Sequence, residues 1–374
     1  MPIRVCFPFV GDSVGGSHIA TALLIKNFDP NFVEPVVVVH QPGPLCEYLD
    51  HIEIPYKLVP MTVFAGARPS IPHIAFSQVR ALRRLAGIVR NNGINIVHTN
   101  DLRMHLTWAP AARAGRAKFL WHQHVLLSPS RMWNLLAMIA NRSICVSEAV
   151  RRTMPKSVEV DIFLNPLDFS ASADLRDRKP ELVQDLALDP NCRLVGYVGN
   201  MTQQKRPNMF IRAAEKIARD SAQPIAFLMI GDDRGGQRAA SEQLAKDLGI
   251  ADQIHFLGHR SPIEQWLAPM DLVLAPGVGD GFGRTLIEAM AASTPVVAVN
   301  SGGHPEIIDD RKTGILVPPD DPDSMAAAAL EVLGNPDLGG ILASAGHSYA
   351  TATFLPAPIA AQVSALYRQM VGGH

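Results

Sequence analysis

The sequence lacks any uninterrupted run of about 18 apolar residues, so a membrane-crossing helix is not expected from it. It has only four cysteines, Cys6, Cys46, Cys145 and Cys192, spaced too widely for a metal or redox motif. Free thiols in a reducing, cytoplasmic setting are the expectation, not a disulfide framework. No repeat and no low-complexity tract is present. The first residues, Met1 to Val10, lack the basic start, longer apolar core and small-residue cleavage site of a secretory leader. They read as a β-strand entering a Gly-rich turn. Charged residues make up 18% against 47% hydrophobic, the balance of a soluble α/β enzyme and not of a disordered or coiled-coil chain. Acids are nearly missing from one stretch. Between Ile54 and Ser147 stand twelve Lys and Arg against one acid, Asp101, a net +11, so the rest carries −12 of the chain's overall −1. A basic half of this kind fits an anionic partner: a phospholipid surface, a lipid-diphosphate acceptor or an acidic glycan. A solvated basic surface is the plainer alternative.

What is present is alternation. Short apolar, β-branched runs at 36–39, 95–98, 118–121 and 143–146 predict strands in the first half; 194–198, 225–230, 254–257, 272–275, 295–299 and 314–317 do so in the second. Helical patterns fall between them, at 76–90, 208–219, 239–248, 285–292 and 324–333. Strands this apolar are covered on both faces, which predicts parallel, doubly wound sheets. A length of 374 residues suggests two domains. The junction is expected near Asn165-Pro166-Leu167-Asp168, giving domains 1–168 and 169–355, with a helix in 356–374 returning to the first domain. Such a pair would face a central cleft at the strands' carboxyl ends.

The chemistry-bearing candidates lie at strand ends. Gly277, Gly279, Gly281 and Gly283 follow one strand and lead into a helix starting near Arg284. A Gly-rich turn entering a helix presents free N–H groups and a positive dipole end, which suits phosphate. Asp280 lies in that loop and Glu288 inside the helix; a plain strand–turn–helix with surface carboxylates is the bland alternative. Gly11 to His18 forms a second Gly-rich turn, with Gly15-Gly16, but lacks Gly-x-Gly-x-x-Gly. Trp121-His122-Gln123-His124 ends another strand. Its two histidines would serve as metal ligands only with a third, and none with clear spacing appears; core histidines are the other alternative. Asp321-Pro-Asp323 precedes a helix and reads as ordinary capping.

The stretch from Asp280 to Glu288 keeps an acid–x7–Glu spacing of eight. Together with Ser301-Gly-Gly-His-Pro-Glu-Ile307, Gly314 to Pro318, Val198-Gly-Asn-Met-Thr-Gln-Gln-Lys205, Ile230-Gly-Asp232 and Phe256-Leu-Gly258, it resembles the family 4 glycosyltransferases of the group 1 type. The resemblance implies the GT-B fold and a retaining, metal-independent transfer from a UDP- or GDP-sugar. It implies a glycan or lipid-linked acceptor, and no nucleic-acid partner. By the same resemblance Lys205 binds the donor diphosphate, Glu288 the ribose hydroxyls, and Asp280 a sugar hydroxyl near the anomeric carbon. His124, with His122 as near alternative, contacts the transferred sugar. Gly16 with Gly15 lines the phosphate and acceptor side, and the N–H groups of Phe282, Gly283, Arg284 and Thr285 face sugar and phosphate. The base is read between Phe256 and Arg260, around His259. Two departures stand out: Asp280 replaces the usual Glu, and Asn200 stands where many members carry an Arg, with Arg206 as a substitute cation or a helix cap.

Two rival readings use the same residues: a nucleotide-sugar epimerase on this fold, and a catalytically silent nucleotide-sugar-binding subunit. The basic, amphipathic stretch 76–90, with Arg68 and Arg103 nearby, is either an ordinary outer helix or a peripheral dock on an anionic membrane.

Overall fold

The computed structural model describes residues 1–61, 71–169, 175 and 178–372, residues 71–80 by their backbone alone. Arg68 and the side chain of Arg80 therefore lie outside the described residues. The chain divides into two compact units, Met1–Leu167 with Phe354–His374, and Asp168–Thr353.

The first unit is built on seven parallel strands: β1 (Ile3–Phe9), β2 (Val33–Val39), β3 (Tyr56–Leu58), β4 (Ile96–Thr99), β5 (Lys118–Gln123), β6 (Arg142–Cys145) and β7 (Val160–Ile162). Their order is β3-β2-β1-β4-β5-β6-β7. Buried Val5, Phe7, Phe9, Val37 and Val39 point into one core with helix Gly16–Asn27. The last helix, Pro356–Gly372, joins that same core through Ile359, Ala360, Val363, Leu366, Tyr367 and Met370. Each fully buried aliphatic or aromatic side chain of this kind stabilises by about 1.5–3 kcal/mol, so the terminal helix is an integral layer of the first unit.

The second unit repeats the plan with β8 (Arg193–Val198), β9 (Ile225–Ile230), β10 (Ile254–Gly258), β11 (Leu272–Ala275), β12 (Val296–Val299) and β13 (Ile315–Val317), ordered β10-β9-β8-β11-β12-β13, all parallel. In both sheets the chain winds outward from its first strand, then returns to lay its fourth on that strand's other edge. The order reverses between β1 and β4 and again between β8 and β11. At such switch points the flanking loops diverge and leave room for a ligand at the strands' carboxyl ends.

Local chemistry sets the helix starts. The Asp101 carboxylate accepts the Met104 N–H at 3.0 Å and opens helix Leu102–Gly115. Asp321 accepts the Ser324 N–H at 2.9 Å at the head of helix Pro322–Gly334, the capping role expected of that Asp-x-Asp. Two strands escape the sequence reading, β3 and β7. Each has three residues at a sheet edge with half-exposed or exposed side chains, so neither makes an apolar run.

Candidate functional site

In the second unit, the loops after β8 and β11 are stitched together across the switch point. The Val278 N–H donates to the Gln204 carbonyl at 2.9 Å, and Gln204 Nε2 donates to the Gly279 carbonyl at 2.7 Å. This brings Lys205 Nζ to 2.6 Å from Asp280 Oδ2, although 75 residues separate them. The same carboxylate oxygen lies 3.3 Å from His304 Nε2, whose Nδ1 faces the Val299 carbonyl at 2.9 Å. Burial would raise the Asp280 carboxyl, but the His304 hydrogen bond and the Lys205 charge outweigh it and pull it down to about 2. Asp280 is therefore a fixed anion that accepts hydrogen bonds and cannot donate one. Its loop follows from glycine. A Cβ on Gly302 would stand 2.4 Å from the Asp280 carbonyl oxygen, and Gly303 N–H donates to that oxygen at 2.8 Å.

Gly283, in the left-handed region at φ 82°, turns the chain into helix Arg284–Ala291 with no side-chain cap. The first-turn N–H groups, including those of Arg284 and Thr285, lack intrahelical acceptors by construction and carry the positive end of the dipole. Phe282 is buried beneath this turn. Within the helix Arg284 Nε donates to Glu288 Oε1 at 2.6 Å, in a pair that is mostly buried. Glu264 stands beside them, its carboxyl raised by burial and further by the Glu288 charge.

Asn200 follows β8 and its Oδ1 accepts the Asp232 N–H at 3.2 Å, fixing the neighbouring β9 loop. Arg206 stands at the start of the next helix, and its side chain makes no capping hydrogen bond there. It is the N-cap residue of helix Pro207–Asp220, at φ 54°, and its guanidinium pairs with Asp320 at 2.5 Å. His259 is exposed beyond β10, the outermost strand on its side of the sheet.

At the first unit's switch point the groups are neutral histidines. Gly15 N–H donates to His18 Nδ1 at 3.1 Å where helix Gly16–Asn27 begins. The loops after β1 and β4 are clamped by Arg103, which donates to both Asp12 oxygens at 2.6 and 2.8 Å. β5 runs two residues further than its apolar run predicts, to Gln123, and this separates the two histidines. His122 lies within the ladder opposite Ile144, and His124 is the first residue beyond it. Their rings lie against each other, 4.0 Å between centroids and tilted by 36°. His124 Nε2 faces Asn100 Oδ1 at 3.1 Å, so Nε2 carries the hydrogen and Nδ1 is left a buried acceptor. His122 Nδ1 meets His98 Nε2 at 3.0 Å, and His98 Nδ1 meets the Tyr367 hydroxyl at 2.6 Å. Burial, above all, holds His98 and His122 well below the usual histidine range, and His124 down at about 3. Among the described residues no group of three His, Cys, Asp or Glu side chains is placed to hold a metal ion.

Sequence reasoning assigns no role to His304 or Glu264. His304 stands within the quoted Ser301 to Ile307 segment, but nothing in its spacing reveals a partner. The available signal is a histidine directly after Gly-Gly at the end of a buried strand.

Two doubly wound parallel units, each carrying its polar loops at a switch point, define the two-domain GT-B glycosyltransferase architecture. Residues 14–162 match the family described as Glycosyltransferase Family 4, and residues 192–335 match Glycosyl transferases group 1. The chain belongs to this family of group 1, family 4 glycosyltransferases. Among curated relatives, a D-inositol 3-phosphate glycosyltransferase of Corynebacterium kroppenstedtii is 34% identical over 45% of this chain and 39% of its own length. One from Mycobacteroides abscessus is 32% identical over 51% of this chain and 41% of its own. The chain thus spans about two fifths of the length of the curated relatives it matches. Among solved structures, a glycosyltransferase from Rickettsia africae superposes with a TM-score of 0.87 over 100% of both chains at 18% identity. Anabaena Alr3699/HepE, in complex with UDP and glucose, does so with 0.82 over 97% of this chain and 99% of its own at 20% identity. At these identities the likeness is one of fold.

Proposed function

We propose that the protein is a retaining glycosyltransferase that moves a sugar from a nucleoside-diphosphate sugar, with UDP or GDP as the nucleotide, to a hydroxyl of a glycan or lipid-linked acceptor. The observation that carries this reading is the Lys205–Asp280–His304 cluster at the β8/β11 switch point, beside the uncapped start of helix Arg284–Ala291. A departing diphosphate gains negative charge, and fixed cations and N–H donors are what stabilise it. Lys205 and the N–H groups from Phe282 to Thr285 supply both, and Asp280 keeps the ammonium in place. The fixed Asp280 carboxylate also accepts a hydroxyl of the transferred sugar. Glu288, held by Arg284, takes the ribose hydroxyls. In the first unit, His124 and His122 offer neutral nitrogens to the sugar.

In this reading the acceptor hydroxyl attacks on the face from which the diphosphate leaves, and the leaving oxygen takes its proton. No carboxylate forms a covalent intermediate. The positive charge is the protein's own, so transfer persists in chelator. Buried free thiols at Cys6, Cys46, Cys145 and Cys192 fit a cytoplasmic setting. The test is a thermal-shift screen of UDP-, GDP- and ADP-sugars, followed by product analysis with the stabilising donor. A matched donor raises the melting temperature by mass action, and the product glycoside keeps the donor's anomeric configuration. An inverted product, or transfer abolished by chelation, overturns this mechanism. Release of nucleotide without any glycoside would instead favour the epimerase.

A further inference from the structure

Helix Arg131–Ile139 breaks the usual rule for a surface helix. Its inner face buries Trp133, Leu136 and Ala137, and it packs on helix Leu102–Gly115. Its outer face should then be polar. Instead Met138 is 82% exposed, Leu135 64% and Met132 42%, and Val125, two residues past β5, is 50% exposed. These four side chains come from one short stretch that begins at the strand end beside His124. Only Arg131 and Asn134 are polar among the exposed residues of this helix, and an apolar outer face of this kind is normally covered by something.

The charge around it says what covers it. Helices Ile71–Asn91, Leu102–Gly115 and Arg131–Ile139 pack in sequence as one layer. Together they contain seven arginines, Arg80, Arg83, Arg84, Arg90, Arg103, Arg113 and Arg131, and not one Asp or Glu. Arg83, Arg84, Arg90, Arg113 and Arg131 are exposed. The amphipathic helix Ile71–Asn91 supplies cations, but from residue 81 on it exposes no large apolar side chain. The apolar contribution comes from its neighbour but one.

We propose that this layer docks on an anionic phospholipid bilayer, with Met132, Leu135 and Met138 inserted at the headgroup–acyl boundary and the five exposed arginines against the lipid phosphates. An apolar ridge flanked by cations is the pattern that seats in an interface. A second copy of the chain fits it poorly, since a two-fold contact through this face would oppose acid-free basic surfaces. A nucleic acid would leave the methionines and leucine uncovered. The inference deepens the proposed function, resting on its lipid-linked option for the acceptor. It would bring the His124 end of β5 close to a membrane.

The experiment is flotation of the full chain with phosphatidylcholine vesicles with and without phosphatidylglycerol, alongside light scattering for mass. The wild type should float with the anionic vesicles, weakly with the neutral ones, and less as salt screens the arginines. Leu135→Glu with Met138→Glu should cut partition about tenfold or more, and Arg131→Gln about fivefold. Both sets of side chains are exposed, so the variants should keep the wild-type melting temperature and the thermal shift with donor nucleotide. Retained donor binding with lost flotation supports the dock. No flotation of the wild type, equal flotation of the Glu variant, or a dimer that the Glu variant splits would each overturn it. Because donor binding is read separately, failure here is distinguishable from failure of the transferase reading.

Discussion

The two switch points share one topology and differ in chemistry. Between β8 and β11 the loops hold a half-buried ion pair, Lys205 with Asp280, braced by His304. Between β1 and β4, and on to β5, the buried polar groups include His18, His98, His122 and His124, held neutral by desolvation, beside uncharged Thr99, Asn100 and Gln123, while the Arg103 pair with Asp12 is more open on its carboxylate side. A parallel sheet thus supplies the place for a ligand, and the loop residues decide its charge. A charged centre suits a group that gains charge during reaction. A neutral one suits hydroxyls, which need donors and acceptors but no counter-ion.

The largest effect should come from emptying the charged centre. Lys205→Ala should lower kcat by about 10²–10³-fold, as loss of a single transition-state donor does, while leaving donor affinity less affected. Steady-state kinetics with saturating donor separates the two. Near wild-type kcat would place the leaving-group charge elsewhere and remove the contrast between the units.

The same pair should leave a mark on acid stability. Asp280 has a folded-state pKa of about 2 against an ordinary 3.8. Because the folded value is the lower, ionisation stabilises the fold fully above pH 3.8, and the contribution fades as pH falls toward 2. Its size is roughly 2 kcal/mol. Denaturant melts of the wild type and Asp280→Asn should therefore differ most near neutrality and converge through that window. A gap that stays constant with pH would mean the carboxylate gains nothing from Lys205 and His304.

The neutral centre should behave oppositely. His124→Ala should lower transfer about tenfold, the scale of one lost buried hydrogen bond. That factor should hold steady from about pH 5 to 8, where an unperturbed histidine would change charge, since His124 is held at about 3. A ratio that widens toward acid would show His124 titrating in the working range and blur the comparison.

How much of this was legible without coordinates follows the same line. β9 and β11 have the ends their apolar, β-branched runs predict, because a strand buried on both faces leaves an unbroken signal. Helix Pro336–Thr353 gives little signal: Gly339, Gly340 and Gly346 dilute its pattern, and at Gly346 a Cβ would press on the Thr313 carbonyl oxygen at 3.1 Å. The motifs bring Lys205, Asp280 and Glu288 into view singly. Their pairing is a product of strand order: only β8 lying beside β11 closes the 75-residue gap, and only the turn after β12 brings His304 to Asp280. The clamp of Arg103 on Asp12 is equally a matter of β1 lying beside β4.

The smallest effect lies two hydrogen bonds back from His122, at Tyr367. Burial drives its hydroxyl well above the usual range, so it keeps its proton, and we expect it to donate that proton to His98 Nδ1, 2.6 Å away. In that case His98 carries its hydrogen on Nε2 and donates to His122 Nδ1, which leaves the His122 hydrogen on Nε2, a buried atom without a hydrogen-bond partner among the described residues. The terminal helix would thus set the tautomer of a histidine whose ring lies against His124. Tyr367→Phe removes the first donor and lets His98 place its hydrogen on Nδ1, which inverts the chain and turns the lone pair of His122 Nε2 outward. Stability should fall by about 1 kcal/mol, the net worth of one hydrogen bond. The informative readout is ¹⁵N NMR of the histidine side chains: His122 should be the Nε2–H tautomer in the wild type and shift toward Nδ1–H in the variant. An unchanged tautomer would show that the β5 end is set by its own strand alone, and that the neutral centre owes nothing to the terminal helix beyond packing.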